Sequence, residues 1–373
     1  MTGVALVATG AMPGFMTAAT APRIRHDFAF SSGSLGLAAA IFYLVSFVLS
    51  ASLGRLIERI GAVTGMRACA VCTAVSCLLL ACFAHSAASL IGLLATAGLG
   101  NALASPSVSA ALKHETPPER QGLAFGAQQA GASIGALLSG LALLAVAIPF
   151  GWRWTYVGVA ALALAAAAYA PGHIPRPAPA ARGRPPKGLG PVHAIGLTAF
   201  LASAASVGFV SFIVSYSVDS GISQGAAGVL LAVVSGCAAA CRIGLGALAD
   251  RGDQDALRPV PAMFLVSAGA YLLLIAGDPA LIVVAALLAG SFGWAWPGAL
   301  NLAVVQMSPQ APAWAVGVML AGLFAGAVVG PLAVGLLGDH GHFAAAWALC
   351  AGFAVLAAAT VWFLSRCESR SSQ

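Results

Sequence analysis

A segment must supply roughly 20 predominantly apolar residues to cross the hydrocarbon core of a bilayer, and this 373-residue chain consists largely of such runs. Twelve are legible, at about residues 2–21, 34–56, 66–84, 88–111, 121–148, 152–170, 194–217, 225–248, 258–276, 279–305, 314–337 and 344–364. With 60% hydrophobic and 8% charged residues, and a mean hydropathy of +0.95, the chain has no means of wetting a soluble surface. The expected fold is an all-α membrane protein. The first run has no basic stretch ahead of it and continues past signal length, so it reads as a span and not as a cleaved signal. Met1 stands almost directly at that span, which leaves open whether further residues precede it.

A repeated phrase divides the twelve spans. Gly54-Arg55-Leu56-Ile57-Glu58-Arg59-Ile60-Gly61 returns as Gly246-Ala247-Leu248-Ala249-Asp250-Arg251-Gly252, each time where an apolar run ends in charge. Self-similarity at that distance indicates two pseudo-symmetric six-helix bundles, as in transporters. Residues 1–170 form the first. Residues 171–193 carry seven prolines and four basic residues and read as a helix-free cytoplasmic linker. Residues 194–373 form the second, with a short cytoplasmic tail.

Basic residues set the orientation, because Lys and Arg accumulate on the cytoplasmic side. Alternating the loops puts Arg55, Arg59, Arg67, Lys113, Arg120, Arg176, Arg182, Arg184, Lys187, Arg251, Arg258, Arg366 and Arg370 on one side. Arg23, Arg25 and Arg153 fall opposite. Both termini are therefore expected in the cytoplasm of a bacterial-type cell, with the chain in its inner membrane. The net charge of +6 reflects this topology, and no basic, aromatic-interleaved surface points to nucleic acid.

Eight cysteines would suggest a disulfide framework in a small secreted domain, but here Cys69, Cys72, Cys77, Cys82, Cys237, Cys241 and Cys350 lie within spans. Without neighbouring His or carboxylate ligands they read as small packing residues, and neither metal nor cofactor is expected. Gly131-Ala132-Ser133-Ile134-Gly135 matches a nucleophile elbow in letters alone, because it falls inside a helix and not on a strand-to-helix turn. An enzyme is not expected. Glycines of the fifth span (Gly122, Gly131, Gly135, Gly140) and of the eleventh (Gly317, Gly326, Gly330, Gly335) read as small-residue stripes along which helices approach closely and slide or rock.

These features resemble the major facilitator superfamily over essentially the whole chain. Its loop motif, Gly-x-Leu-x-Asp-Arg-x-Gly, is met by Gly54, Leu56, Glu58, Arg59 and Gly61, with Glu58 in place of Asp; the second copy keeps Gly246, Asp250 and Arg251. The resemblance implies that Glu58 and Asp250 help latch the cytoplasmic ends of the halves; a plain helix-end charge cluster is the alternative. Gly151-Trp152-Arg153-Trp154 is also family-like and is explained by interfacial anchoring alone. The fifth-span glycines resemble the exporter-associated motif, with Ala136 for its proline and Ser139 for a glycine. The arginine typical of proton-coupled antiporters would fall near Thr96 or Ala97 and is missing.

A charge inside the membrane is costly and functional by default. Arg242 is the one such residue, roughly 12 Å from the end of its span at 1.5 Å per residue. A guanidinium there calls for an anion, since its fork matches a carboxylate; snorkelling or bonding to backbone carbonyls is the alternative. Asn101, Gln128, Gln129 and Asn301 lie near its level, with Tyr43, Ser203, Ser206, Trp294 and Trp296 nearer the midplane, either lining one cavity or bonding helix to helix. Arg242 with Gly246 also resembles the monocarboxylate and oxalate branch, although Ala238 stands where some members carry an acid and the eleventh span lacks the oxalate exchangers' lysine.

All histidines and carboxylates fall in loops or at helix ends; Asp27 and Asp219 at the outer mouth are the only near candidates for a titrating group beside the pathway, with a plain loop charge as the other reading of each. The expected function is secondary active or facilitated transport of a small organic anion, a carboxylate, by alternating access, alone or with a coupled proton or exchanged anion. The alternative is efflux of a lipophilic drug or natural product. The expected partners are the small-molecule substrate and membrane lipid, and the expected state is a monomer.

Overall fold

The computed structural model describes residues 2–117, 120–169, 190–249, 257–308 and 312–371. Those residues form twelve antiparallel helical rods and the short turns that join them. The first half comprises α1 (Thr2–Asp27), α2 (Ser32–Ile60), α3 (Ala62–Phe83), α4 (Ala87–Glu115), α5 (Gln121–Ala142), continued by a π-helical segment (Leu143–Ala147) and the short α6 (Ile148–Phe150), and α7 (Trp152–Ala168). The second comprises α8 (Pro191–Asp219), α9 (Gln224–Ala249), α10 (Val260–Leu274), a rod broken into α11 (Pro279–Gly293) and α12 (Pro297–Met307), α13 (Pro312–Asp339) and α14 (Phe343–Ser371). Ten described segments are long and apolar enough to cross a membrane. The shorter α7 and α10 complete the twelve.

Local chemistry sets the helix ends. Ser31 caps α2 by accepting from the Ser34 N–H, Ser86 and Ser89 form a reciprocal capping box on α4, and Asp278 caps α11. Gly61 joins α2 to α3 at φ 92° and Gly151 joins α6 to α7 at φ 98°, a backbone region where a Cβ is strained. Pro191 begins α8 at its first turn, where the missing N–H leaves no bond unmade, so the helix starts three residues before the expected boundary at 194. The remainder of the expected linker, 171–189, lies outside the described residues, as do Asp250 and Arg251.

α1 and α8 are the most enclosed helices and face each other at the centre. Between the halves, α5 lies along α9 and α2 along α13. We call the end bearing both chain termini proximal and the other distal. The α5–α9 seam is a backbone-to-backbone contact at both ends: a methyl on Gly246 would come within 2.5 Å of the Gly122 carbonyl, and one on Gly140 within 2.5 Å of the Gly228 carbonyl. Gly131 and Gly135 face α1 instead, against the Val4 and Ala8 carbonyls. In α13, Gly326 and Gly330 press on α8 at the Phe200 and Ala204 carbonyls, and Gly335 alone of the four eleventh-span glycines meets α2. The two expected stripes are therefore split between seams within a half and seams across halves.

Candidate functional site at the seam between the halves

Arg242, on α9, is 3% exposed and bonds to both halves. Its Nε and one Nη2 proton go to the Trp294 carbonyl, at 2.8 and 2.6 Å, and Nη1 donates to the Gln129 carbonyl of α5 at 2.5 Å. Trp294 is available because the rod breaks after α11. Pro297 has no N–H and disfavours helix in the residue before it, so the rod breaks over residues 294–296, and Trp294, the C-cap of α11, presents its carbonyl at a helix end that carries partial negative charge. The guanidinium also sits 4.9 Å from the centre of the Trp294 ring, which Phe15 of α1 meets edge-on at 5.5 Å.

Neutral carbonyls, a helix end and a ring face offset part of the cost of burying this cation, yet none removes its charge. A central charge costs about 2.5–3.5 kcal/mol on insertion scales, and a hydrogen bond to a charged group returns about 1.5–3 kcal/mol. Arg242 makes no ion pair among the described residues. Three of its five N–H groups are engaged, which leaves one on each Nη nitrogen.

Tyr43 is buried and close enough to Arg242 for electrostatic interaction. Among the described residues Ser203 Oγ and Trp296 Nε1 are buried without partners, and Asn301 leaves a buried Oδ1 without one. Ser206 turns back on the Ala202 carbonyl. Asn101 donates to Ser46 Oγ at 2.9 Å, tying α4 to α2. Gln128 donates to the Ser105 carbonyl at 3.1 Å and to Ser109 Oγ at 2.9 Å, tying α5 to α4. Gln129 meets Arg242 through its backbone. At the proximal end Glu58 and Arg59 are exposed without an ion pair among the described residues, and Gly54 has open space around it.

The distal end holds contacts that sequence reasoning missed. Asp27 and Asp219 are not plain loop charges. Asp219, ending α8, pairs with Arg25 of α1 at 3.4 Å, and Arg25 also donates to Ser32 Oγ and the Phe30 carbonyl. Asp27 accepts from Arg153 at 2.7 Å and from Trp152 Nε1 at 2.8 Å. Trp152 is accordingly buried against the protein, and of the two tryptophans only Trp154 is exposed. Ser31 donates to Asp339, at the end of α13, at 3.0 Å. The signal available in sequence was the trio of arginines on the side otherwise poor in basic residues.

The seven described cysteines are free thiols, and Ser133 is buried within α5. Among the described residues, no group of three or more His, Cys, Asp or Glu is placed to hold a metal.

Two six-helix halves meeting along glycine seams, joined by an ion pair at the distal end and enclosing between them an arginine with no ion pair among the described residues, define a membrane transporter. The family model of the Major Facilitator Superfamily matches residues 3–259 and, in a second match, 195–372, and the chain belongs to that family. Its fold is similar to that of a bacterial homolog to the human lysosomal transporter Spinster. In that protein's inward-facing and occupied conformation the TM-score is 0.78 at 17% identity, covering 98% of this chain and 96% of the other. In its inward-facing and unoccupied conformation the TM-score is 0.74, at the same identity and coverage. No curated protein matches the chain in sequence.

Proposed function

We propose that the protein is a secondary transporter that carries a small organic monoanion, a carboxylate, by alternating access around Arg242. The observation that carries this reading is the enclosed guanidinium at the seam of the halves, with two N–H groups unassigned and no ion pair among the described residues. A carboxylate supplies both the missing charge and the acceptors. Tyr43, Ser203 and Asn301 add neutral polar groups, and the Trp294 ring an apolar wall. Asn101 and Gln128 support the site as helix-to-helix ties, and Gln129 contributes its carbonyl.

In this reading the proximal end, with both termini, is cytoplasmic, and the distal end faces out across a bacterial-type inner membrane. The distal ties are then an outer gate, shut in this arrangement. Gly54, Glu58, Arg59, Gly246, Asp250 and Arg251 latch the cytoplasmic ends in the opposite state. The working unit is a monomer, and the substrate moves with a proton or against a second anion.

The test is thermal stability of the purified protein against a panel of small carboxylates and one of lipophilic cations, in wild type and Arg242→Gln. A ligand that binds only the folded state raises stability by mass action. Stabilisation by a carboxylate that is lost in Arg242→Gln is the expected result. Stabilisation by lipophilic cations that survives the substitution sinks the anion reading in favour of efflux of a lipophilic compound.

A further inference from the structure

Arg23 is one of the three arginines on the side otherwise poor in basic residues, and it alone of the three has no acidic partner among the described residues. Arg25 pairs with Asp219 and Arg153 with Asp27. Among the described residues Arg23 makes a single hydrogen bond, from Nη2 to the Ile148 carbonyl at 2.9 Å, and its Nε is buried without a partner. It lies one turn before the end of α1, about 6 Å below the distal end at 1.5 Å per residue.

Around it is a recess of about 250 Å³ between the end of α1, the π-distorted end of the fifth span and the start of α7. Its lining includes His26, Arg153 and Asp27. Asp27 is engaged by Arg153 and Trp152, so the recess keeps the charge of Arg23 in excess. Phe150 and Trp154 also line it and stand 69% and 59% exposed. Aromatic rings at a helix end near the membrane surface sit at headgroup level, beside acyl chains.

We propose that this recess binds the phosphate of an anionic phospholipid of the distal leaflet, with Arg23 as the principal ligand, His26 at the rim, and Phe150 and Trp154 against the glycerol and upper acyl chains. Arg153 is committed to Asp27 and the Ala84 carbonyl and shapes the wall. The flanking rings favour a lipid-borne phosphate over a free one. The assignment is independent of Arg242 and of what is transported.

The experiment is thermal unfolding in detergent with added phosphatidylglycerol, phosphatidylcholine or inorganic phosphate, on wild type, Arg23→Gln, Trp154→Ala and, as a control outside the recess, Arg25→Gln. Phosphatidylglycerol is expected to raise the midpoint of wild type and Arg25→Gln above the phosphatidylcholine value by at least about 2 °C. The shift is expected to vanish in Arg23→Gln and to shrink in Trp154→Ala, an exposed change that keeps the test open should Arg23→Gln fail to fold. Equal midpoints in the two lipids, or an undiminished shift in both recess variants, overturn the proposal. Inorganic phosphate reproducing the shift also overturns it, since the site would then take any phosphate.

Discussion

Arg25 of α1 and Asp219 of α8 meet at 3.4 Å at the distal end, 194 residues apart in sequence, and theirs is the one described ion pair that joins the two halves. A few residues away Ser31, the cap of α2, holds Asp339 at the end of α13. With side chains 28% and 47% exposed, the Arg25–Asp219 pair is screened by solvent. Breaking it is expected to cost less than about 1 kcal/mol of stability while shifting the balance between closed and open distal ends. In a Ser31→Cys/Asp339→Cys protein, a short bifunctional thiol reagent should cross-link the halves, stop turnover in proteoliposomes and, if cleavable, release it on reduction. Adding Asp219→Asn should slow that cross-linking severalfold. An unchanged rate would mean that the ion pair does not hold the gate.

Arg242→Lys keeps the charge but loses the planar fork that lets Nε and Nη2 share the Trp294 carbonyl while Nη1 reaches Gln129. Carboxylate affinity is expected to fall by about tenfold or more, since point charge and fork are not interchangeable at a shared acceptor. Ligand-dependent melting measures it. Wild-type affinity in the lysine variant would show that charge alone suffices.

The glycines of the helices that form the seams differ in how much room they have. Gly246→Val forces a side chain into the Gly122 backbone, and overpacking of this kind costs typically about 1–3 kcal/mol. A methyl added to Gly317 would meet nothing within 4 Å, so Gly317→Ala should be neutral or slightly stabilising because alanine is the better helix former. Melting temperatures of the two variants check the contrast, and equal losses would contradict close approach of α5 and α9.

Gln128 bonds α5 to α4 through Ser105 and Ser109. Such interhelical bonds in membranes average about 0.6 kcal/mol, with a ceiling of about 1.7. Gln128→Leu is therefore expected to lower the melting temperature while leaving substrate affinity within about twofold of wild type, a change of about 0.4 kcal/mol in binding free energy. A larger loss in a tracer-binding assay would put Gln128 in contact with substrate.

Sequence by itself determined the number of spans, their pairing into halves and the single intramembrane charge. An apolar run of span length is a local property with few physical outcomes, and a lone arginine inside one is visible without its surroundings. Tertiary structure decided what that arginine touches. Its acceptors are the backbone carbonyls of Gln129 and Trp294, 113 and 52 residues away, and every residue has a carbonyl, so composition cannot mark these two. The same holds for Asp27, Asp219, Ser31 and Trp152, which look like ordinary helix-end residues until folding brings Arg153, Arg25 and Asp339 beside them. It holds too for the glycines, whose sequence spacing is alike although some face a helix of their own half and others face the opposite half. A side chain's type is written in the chain, but its partner is fixed only when helices distant in sequence pack together.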